Sequence, residues 1–315
     1  MTLVSIPANP VPDDVVAGTL TTADGVHVRF ARWAPPPGRK GTVCILPGRA
    51  EFIEKYFEVV RDLRARGFAV AALDWRGQGL SQRALSDPRK GHVDSFAEYD
   101  RDLEAFVKEI VLPDCPPPYF ALGHSMGGAV LLRAAHRGRR WFDRIVLSAP
   151  MVALTAVKRP RLARGTAAAL RAVGLGGAYV PGGGPTAVTS LPFTGNTVTS
   201  DPLRYARTAA IVEAEPKLAL GAPTIAWLAA AFDAMEVFAD PLLPRHLRQP
   251  VLMVAAGQDA LVSTAAIEDF ASRMRGGAKL VISGAKHELL MEQDRYREQF
   301  WAAFDAFVPG SPAFA

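Results

Sequence analysis

Cysteine is nearly absent: the 315-residue chain has two, Cys44 in the apolar run Thr42-Val43-Cys44-Ile45-Leu46 and Cys115 in a proline-rich stretch. Cysteines in such unlike settings favour free thiols in a reducing compartment over a pair, and neither has metal-ligand spacing. Long apolar runs are missing as well. Residues 172–200 carry no charge but are rich in Gly, Pro and Thr, and residues 218–232 are too short to span a bilayer and contain Gly221 and Pro223. The first twelve residues have three prolines, no basic flank and no apolar core, so a secretory signal is not expected. These absences lead to the expectation of a soluble, cytoplasmic protein. A charge excess of one sign is also lacking. Lys plus Arg total 36 against 31 Asp plus Glu, a mild net +5 that does not argue for nucleic acid. No P-loop, H-E-x-x-H site or EF-hand loop occurs, so neither a metal nor a cofactor is expected.

What is present is ordinary globular composition, 49% hydrophobic and 21% charged, at a length fitting two domains or one large domain with an insertion. Short apolar runs at 26–33, 42–46, 69–73, 119–123, 145–148, 251–255 and 279–282 read as strands. Amphipathic helical patterns separate them at 56–65, 96–110, 128–136, 264–274 and 296–307. In the second of these Phe96, Tyr99, Leu103, Phe106, Val107 and Ile110 recur at helical spacing as core. The alternation predicts an α/β fold with a largely parallel sheet. It breaks after Pro150. From 151 to 245 there is no convincing strand, only helical pieces such as 161–173 and 222–238 around a glycine-rich stretch. Placed just after a strand end, this insertion reads as a helical lid over a site; the alternative is padding against the back of the sheet.

The strongest chemical signal is Gly123-His124-Ser125-Met126-Gly127-Gly128. Alone, G-x-S-x-G is weak. Here it follows the strand-like Tyr119-Phe120-Ala121-Leu122 and opens the helical Ala129-Val130-Leu131-Leu132, the strand–turn–helix context of a nucleophile elbow. The glycines leave room for a sharp turn that presents the Ser125 hydroxyl above the sheet. A serine hydroxyl needs a base. Of the six histidines, His27, His92, His124, His136, His246 and His287, only His287 follows the last strand, as the chain order Ser, acid, His requires. His124 is expected to pack or bond within the turn, and His92 could line the site. For the acid, Asp259 follows the carboxyl end of the 251–255 strand, 134 residues after Ser125 and 28 before His287; Glu288 and Asp240 compete with it. The backbone N–H groups of Met126 and of Arg49, in Leu46-Pro47-Gly48-Arg49, are the expected oxyanion hole. The Arg49 side chain itself reads as a surface charge or a partner of Glu51. In Asp74-Trp75-Arg76-Gly77-Gln78-Gly79 the third glycine of a dinucleotide fingerprint is missing, so a tight turn braced by Asp74 and Arg76 is expected.

Together these residues resemble the α/β-hydrolase superfamily over about residues 18–308. Within it, they are most similar to the monoglyceride lipase and lysophospholipase branch, the serine aminopeptidase S33-like hydrolases. The stretches that carry this are Pro47-Gly48-Arg49-Ala50-Glu51-Phe52-Ile53-Glu54-Lys55-Tyr56, Asp74 to Gly79 with Leu80-Ser81, the elbow, and Ser148-Ala149-Pro150-Met151. The first resembles bacterial lysophospholipases of the L2 type; eukaryotic monoglyceride lipases usually have His-Gly where this chain has Pro47-Gly48. The resemblance implies an α/β-hydrolase fold, a mostly parallel eight-stranded sheet flanked by helices. It also implies a hydrolase core in two parts, 1–150 and 246–315, with a helical cap at 151–245 forming much of the acyl pocket. The expected activity is that of a serine ester hydrolase on a monoacyl, lipid-like ester. The alternatives are an acyltransferase or peptidase on the same triad, or a ligand-binding protein without turnover. Epoxide hydrolases and dehalogenases of related fold need an Asp where Ser125 stands.

One feature of the insertion bears on partners. Lys158, Arg159, Arg161, Arg164 and Arg171 follow one another with no acid between them, interleaved with apolar residues. This reads as a basic amphipathic patch for anionic membrane or a phosphate head group, or as a solvated helix face. Residues 151–245 hold nine Lys or Arg against six Asp or Glu, so most of the net charge lies there.

Overall fold

The computed structural model describes residues 2–38, 40–155, 157 and 159–309. Eight strands form one sheet in the order β1-β2-β4-β3-β5-β6-β7-β8. β1 (Val15–Thr21) and β2 (His27–Trp33) form a hairpin through Gly25, whose positive φ of 79° suits the turn. β2 runs antiparallel to β4 (Ala69–Leu73). All pairings from β4 onward are parallel, through β3 (Thr42–Leu46), β5 (Tyr119–His124), β6 (Arg144–Ser148), β7 (Val251–Ala256) and β8 (Gly277–Ile282). The chain thus has the mostly parallel eight-stranded sheet of an α/β-hydrolase.

Strand alternation sends side chains into two cores, one on each face. In β3, Val43 and Ile45 join Phe57, Leu63, Phe120, Phe300 and Phe304. Cys44 joins Leu103, Phe106, Leu131 and Phe270 on the other face. Both faces are covered, so central strands such as β3 and β4 are apolar throughout rather than alternating. Each such side chain contributes about 1.5–3 kcal/mol by burial. The covering helices are α1 (Phe57–Ala65), α2 (Phe96–Phe106) and α3 (Met126–His136) before β6. Ser95 and Glu98 close a capping box at the start of α2. Both cysteines are buried free thiols.

Between β6 and β7 the described residues contain no strand of the sheet, only helical elements, turns and isolated bridges such as Tyr179–Thr224. The principal helices are α4 (Pro160–Leu170), α5 (Pro202–Ala214) and α6 (Ile225–Phe238). Helices α7 (Thr264–Ser272) and α8 (Asp294–Phe307) complete the set. α5 went unread in the sequence although its start is marked by Asp201, which caps the Arg204 N–H, and by Pro202 in the first turn. The insertion divides. α6 is buried on nearly every side, with Trp227, Ala230 and Phe238 in the same core as α2 and α3, and its Trp227 Nε1 donates to the Tyr99 hydroxyl at 3.0 Å. α5 and the loop before it instead face the cavity described below. Of the basic cluster, Lys158 lies outside the described residues. Arg164 pairs with Asp233 and Glu236, and Arg171 with Asp94, acids brought in from other segments.

Candidate active site

The parallel strands point their carboxyl ends to one edge, where ligands of open α/β sheets bind. Four loops meet there, those following β3, β5, β7 and β8. The turn after β5 holds Ser125 at φ 48° and ψ −113°, a region that costs a non-glycine residue about 1–3 kcal/mol. It is held by bonds on both sides: the Ser125 N–H donates to the Ser148 carbonyl at 3.0 Å, and the Met151 N–H to the Ser125 carbonyl at 3.0 Å.

His287 stands between the other two groups. Its Nε2 is 3.1 Å from the Ser125 Oγ and its Nδ1 is 2.7 Å from Asp259 Oδ2. The other carboxylate oxygen of Asp259 accepts the N–H groups of Leu261 (2.8 Å) and Val262 (2.9 Å). Burial pushes the Asp259 carboxyl up, but the bond and charge of His287 and those two N–H groups hold it below its ordinary value. An ionised carboxylate only accepts, so Nδ1 carries the imidazole proton and Nε2 is free to take one from Ser125. The competing acids are elsewhere: Glu288 binds Lys55 at 2.7 Å, and Asp240 accepts the Leu242 N–H at 2.8 Å.

The loop after β3 is held from below by the Asp74–Gly79 turn. Trp75 Nε1 donates to the Pro47 carbonyl at 2.8 Å, and Gln78 Nε2 donates to the carbonyls of Gly48 (2.7 Å) and Glu51 (3.0 Å). Asp74 is itself fixed by the fully buried Arg29, which also forks onto Glu54. The turn therefore braces through Trp75 and Gln78 as well as through Asp74, while Arg76 ties it to Asp102 and Asp24. The Gly48 N–H is taken by Glu51 and the Ala50 N–H by Gln78. Among the described residues the Arg49 and Met126 N–H groups have no protein acceptor. The Arg49 side chain departs from both sequence readings. It is neither a surface charge nor a partner of Glu51: it donates to the Gly221 carbonyl at 2.7 Å and lies over the Trp227 ring. Its burial lowers the guanidinium to about 10.

The cavity at this edge has a volume of about 360 Å³. Met151, Leu154, Val188, Val198, Val212 and Leu218 supply its apolar lining, most of it from the insertion. A polar cluster, unread in the sequence, lines it too. Lys55 Nζ lies 2.8 Å from Glu51 and 2.7 Å from Glu288, and the Tyr56 hydroxyl donates to Glu51 at 2.6 Å. The available signals were the i,i+4 spacing of Glu51 and Lys55 and the position of Glu288 beside the base. His124 bonds to Ser148, as expected of a turn residue, and its ring also packs at a tilt against that of His287, with centroids 4.8 Å apart. Its burial lowers its basicity, with His287 adding to the effect and Glu51 opposing it. His92 meets Thr224 at 3.0 Å and does not line the cavity.

Burial alone would raise the Glu51 carboxyl, yet Lys55, His124 and the bond from Tyr56 hold it at about 2. Its folded value is below the unfolded one, so the stability it contributes is complete above about pH 4.5 and is lost as pH falls toward 2. Glu51→Gln is expected to lower Tm at neutral pH and to flatten the acid limb between about pH 5 and 3. An acid limb as steep as in the wild type would contradict this assignment.

Residues 37–294 match the family described as serine aminopeptidase, S33. The chain belongs to this family. It is similar to lysophospholipase L2 of Escherichia coli (strain K12), 34% identical over 299 residues that cover 88% of this chain and 82% of that protein. Among solved structures, a thermostable carboxyl esterase from Bacillus coagulans covers 95% of this chain and 99% of its own, with a TM-score of 0.75 at 18% identity. A soluble variant of the monoglyceride lipase from Saccharomyces cerevisiae covers 93% and 96%, with a TM-score of 0.70 at 17% identity. The latter two likenesses speak for the α/β-hydrolase fold. Family membership together with the likeness to a lysophospholipase makes the chain a serine ester hydrolase. Among the described residues no helix is long and apolar enough to cross a membrane, and no cluster of three or more His, Cys, Asp or Glu is placed to hold a metal ion.

Proposed function

We propose that the protein hydrolyses the ester of a single-chain lipid, a lysophospholipid or monoacylglycerol, through an acyl-enzyme on Ser125. The observation that carries the reading is the Ser125–His287–Asp259 line opening onto a cavity with an apolar lining and one polar cluster. Ser125 Oγ attacks the ester carbonyl as His287 Nε2 takes its proton, and the imidazolium is stabilised by Asp259. The Arg49 and Met126 N–H groups stabilise the resulting oxyanion. The carbon–oxygen bond to the alcohol then breaks as His287 returns the proton to the departing oxygen. Water, deprotonated by His287, attacks the acyl-enzyme and releases the fatty acid with Ser125 restored.

In this reading residues 151–245 act as a cap whose apolar side chains receive the acyl chain, and the Glu51–Lys55–Glu288 cluster faces the leaving alcohol. A peptidase reading is less well supported. A substrate ammonium group would need a free carboxylate, and Lys55 already bridges both acids at this end. The relative named lysophospholipase L2 favours the lysophospholipid. A panel of nitrophenyl esters of increasing chain length, monoacylglycerol, lysophospholipids and an aminoacyl amide tests the assignment. Expected is a kcat/KM that rises with acyl length and is highest for a single-chain lipid, with no amide cleavage. Preference for the aminoacyl amide would overturn it.

The cap also carries the proposed membrane contact. Leu162 and Val173 are 62% and 71% exposed, and Arg161 is exposed with no ion-pair partner among the described residues. Greater cosedimentation with anionic than with neutral liposomes is expected, and equal sedimentation would count against a basic contact.

A further inference from the structure

The loop carrying His287 is fastened to the insertion through one carboxylate that the proposed chemistry does not use. Glu292 is fully buried, five residues beyond His287. Its Oε1 accepts the N–H of Lys286, the residue immediately before His287, at 2.9 Å. Its Oε2 accepts the N–H of Ser200 at 3.0 Å, the Ser200 hydroxyl and the Gln293 N–H at 3.1 Å. Four donors on one buried carboxylate replace the hydrogen bonds that water would otherwise give it.

Further bonds run in parallel across the same seam. Lys286 Nζ donates to the Asn196 carbonyl at 2.9 Å, the Glu288 N–H to the Val198 carbonyl at 2.8 Å, and the Thr199 hydroxyl to the Met291 carbonyl at 2.7 Å. Residues 286, 288 and 291 are thus all tied to 196–200, and His287 sits inside the tied stretch. Segment 196–200 also reaches the cavity, whose lining includes Val198 and Thr199. The seam joins a wall of the cavity to the backbone of the histidine.

We propose that Glu292 is a positioning residue: its carboxylate locks the His287 loop to segment 196–200, fixing the imidazole between Ser125 and Asp259. This rests on the reading of His287 as the base. Glutamine at 292 keeps the shape but offers only one accepting oxygen. Three donors crowd the Oε2 side, so the amide NH2 turns toward the Lys286 N–H and the bond next to His287 is the one released. A displacement of about 1 Å in such a site can cost on the order of 10²-fold in rate.

The test is Glu292→Gln, studied well below its unfolding midpoint on a short soluble ester. Expected are a kcat reduced about 10- to 100-fold, a KM changed less than about twofold, and a broadened or lost far-downfield proton signal from His287 Nδ1–H on Asp259. A role confined to stability would leave that signal and kcat untouched while the protein stays folded, and that result would overturn the proposal. Should Glu292→Gln not fold, Ser200→Ala decides. It removes one donor and keeps the carboxylate, and kcat is expected to fall about two- to tenfold with KM unchanged; an unaltered kcat overturns the proposal. His287→Ala separates the two readings. If it retains activity, the assignment of the base fails; if it is inactive while both seam variants are normal, only the positioning role fails.

Discussion

Ser125→Ala is expected to lower kcat for ester hydrolysis by about 10⁶, with His287→Ala nearly as damaging and the double variant no worse than either. The non-additivity follows from the geometry. Without Ser125 Oγ, the imidazole 3.1 Å away has no nucleophile to deprotonate; without the imidazole, the hydroxyl keeps its proton. Asp259→Ala should cost less, on the order of 10⁴, because His287 remains and only its tautomer and its imidazolium lose support. A residual rate above that in water is expected in all of them, since the Arg49 and Met126 N–H groups are backbone and survive each substitution. Covalent labelling by a fluorophosphonate probe reads the same chemistry independently of substrate choice. Labelling of Ser125→Ala at the wild-type level would remove Ser125 from the mechanism, whatever the hydrolysis assays gave. Equal losses summing in the double variant would show that the two side chains act separately.

Much of this site was legible because its parts lie at strand ends, and strand ends are marked by composition. The apolar runs at 119–123 and 251–255 located β5 and β7, and the residues just beyond them supplied Ser125 and Asp259. The distance between Ser125 and His287 along the chain hid nothing, since the parallel register brings all four loops to one edge. Less legible was anything set by contacts between distant loops. Nothing in the sequence beside Lys55 points to Glu288, which only the fold places next to it. Arg49 reads as a surface charge until Gly221 and Trp227 come over it from the insertion. Likewise the cluster of insertion arginines looked unopposed only because Asp94, Asp233 and Glu236 are remote in sequence. α5 was missed for a different reason: its apolar residues do not fall on one clear stripe, so it gives no strong periodic signal.

Gly127→Ala is expected to be the most damaging substitution of a residue that takes no part in the chemistry. A Cβ at this position would lie 2.1 Å from the Leu46 carbonyl oxygen and 2.6 Å from that of Pro47. Both are backbone atoms at the end of β3, and Leu46 is held in register against Gly123. No rotamer change relieves such a contact. At Gly123, by contrast, the nearest atom to an added Cβ is the Leu131 Cδ1 at 2.6 Å, the end of a side chain that can turn. Relief at Gly127 requires either that α3 withdraw, moving Ser125 and Met126, or that the end of β3 withdraw, moving Arg49. The two N–H groups assigned to the oxyanion lie one on each side of this contact, so either movement separates them. An oxyanion donor must sit about 2.7–3.1 Å from the developing charge, and losing one costs on the order of 10²–10³ in kcat. The strain itself adds about 1–3 kcal/mol of destabilisation, or more where backbone must move. Gly127→Ala is therefore expected to lose at least about 10²-fold in kcat together with several degrees of Tm. Gly165→Ala is the matched control: an added Cβ there meets nothing within 4 Å on α4, so activity should be unchanged and stability equal or slightly higher. Wild-type turnover in Gly127→Ala would mean that the β3 loop and the elbow do not close on the same oxygen, and the assignment of Arg49 and Met126 would fall with it.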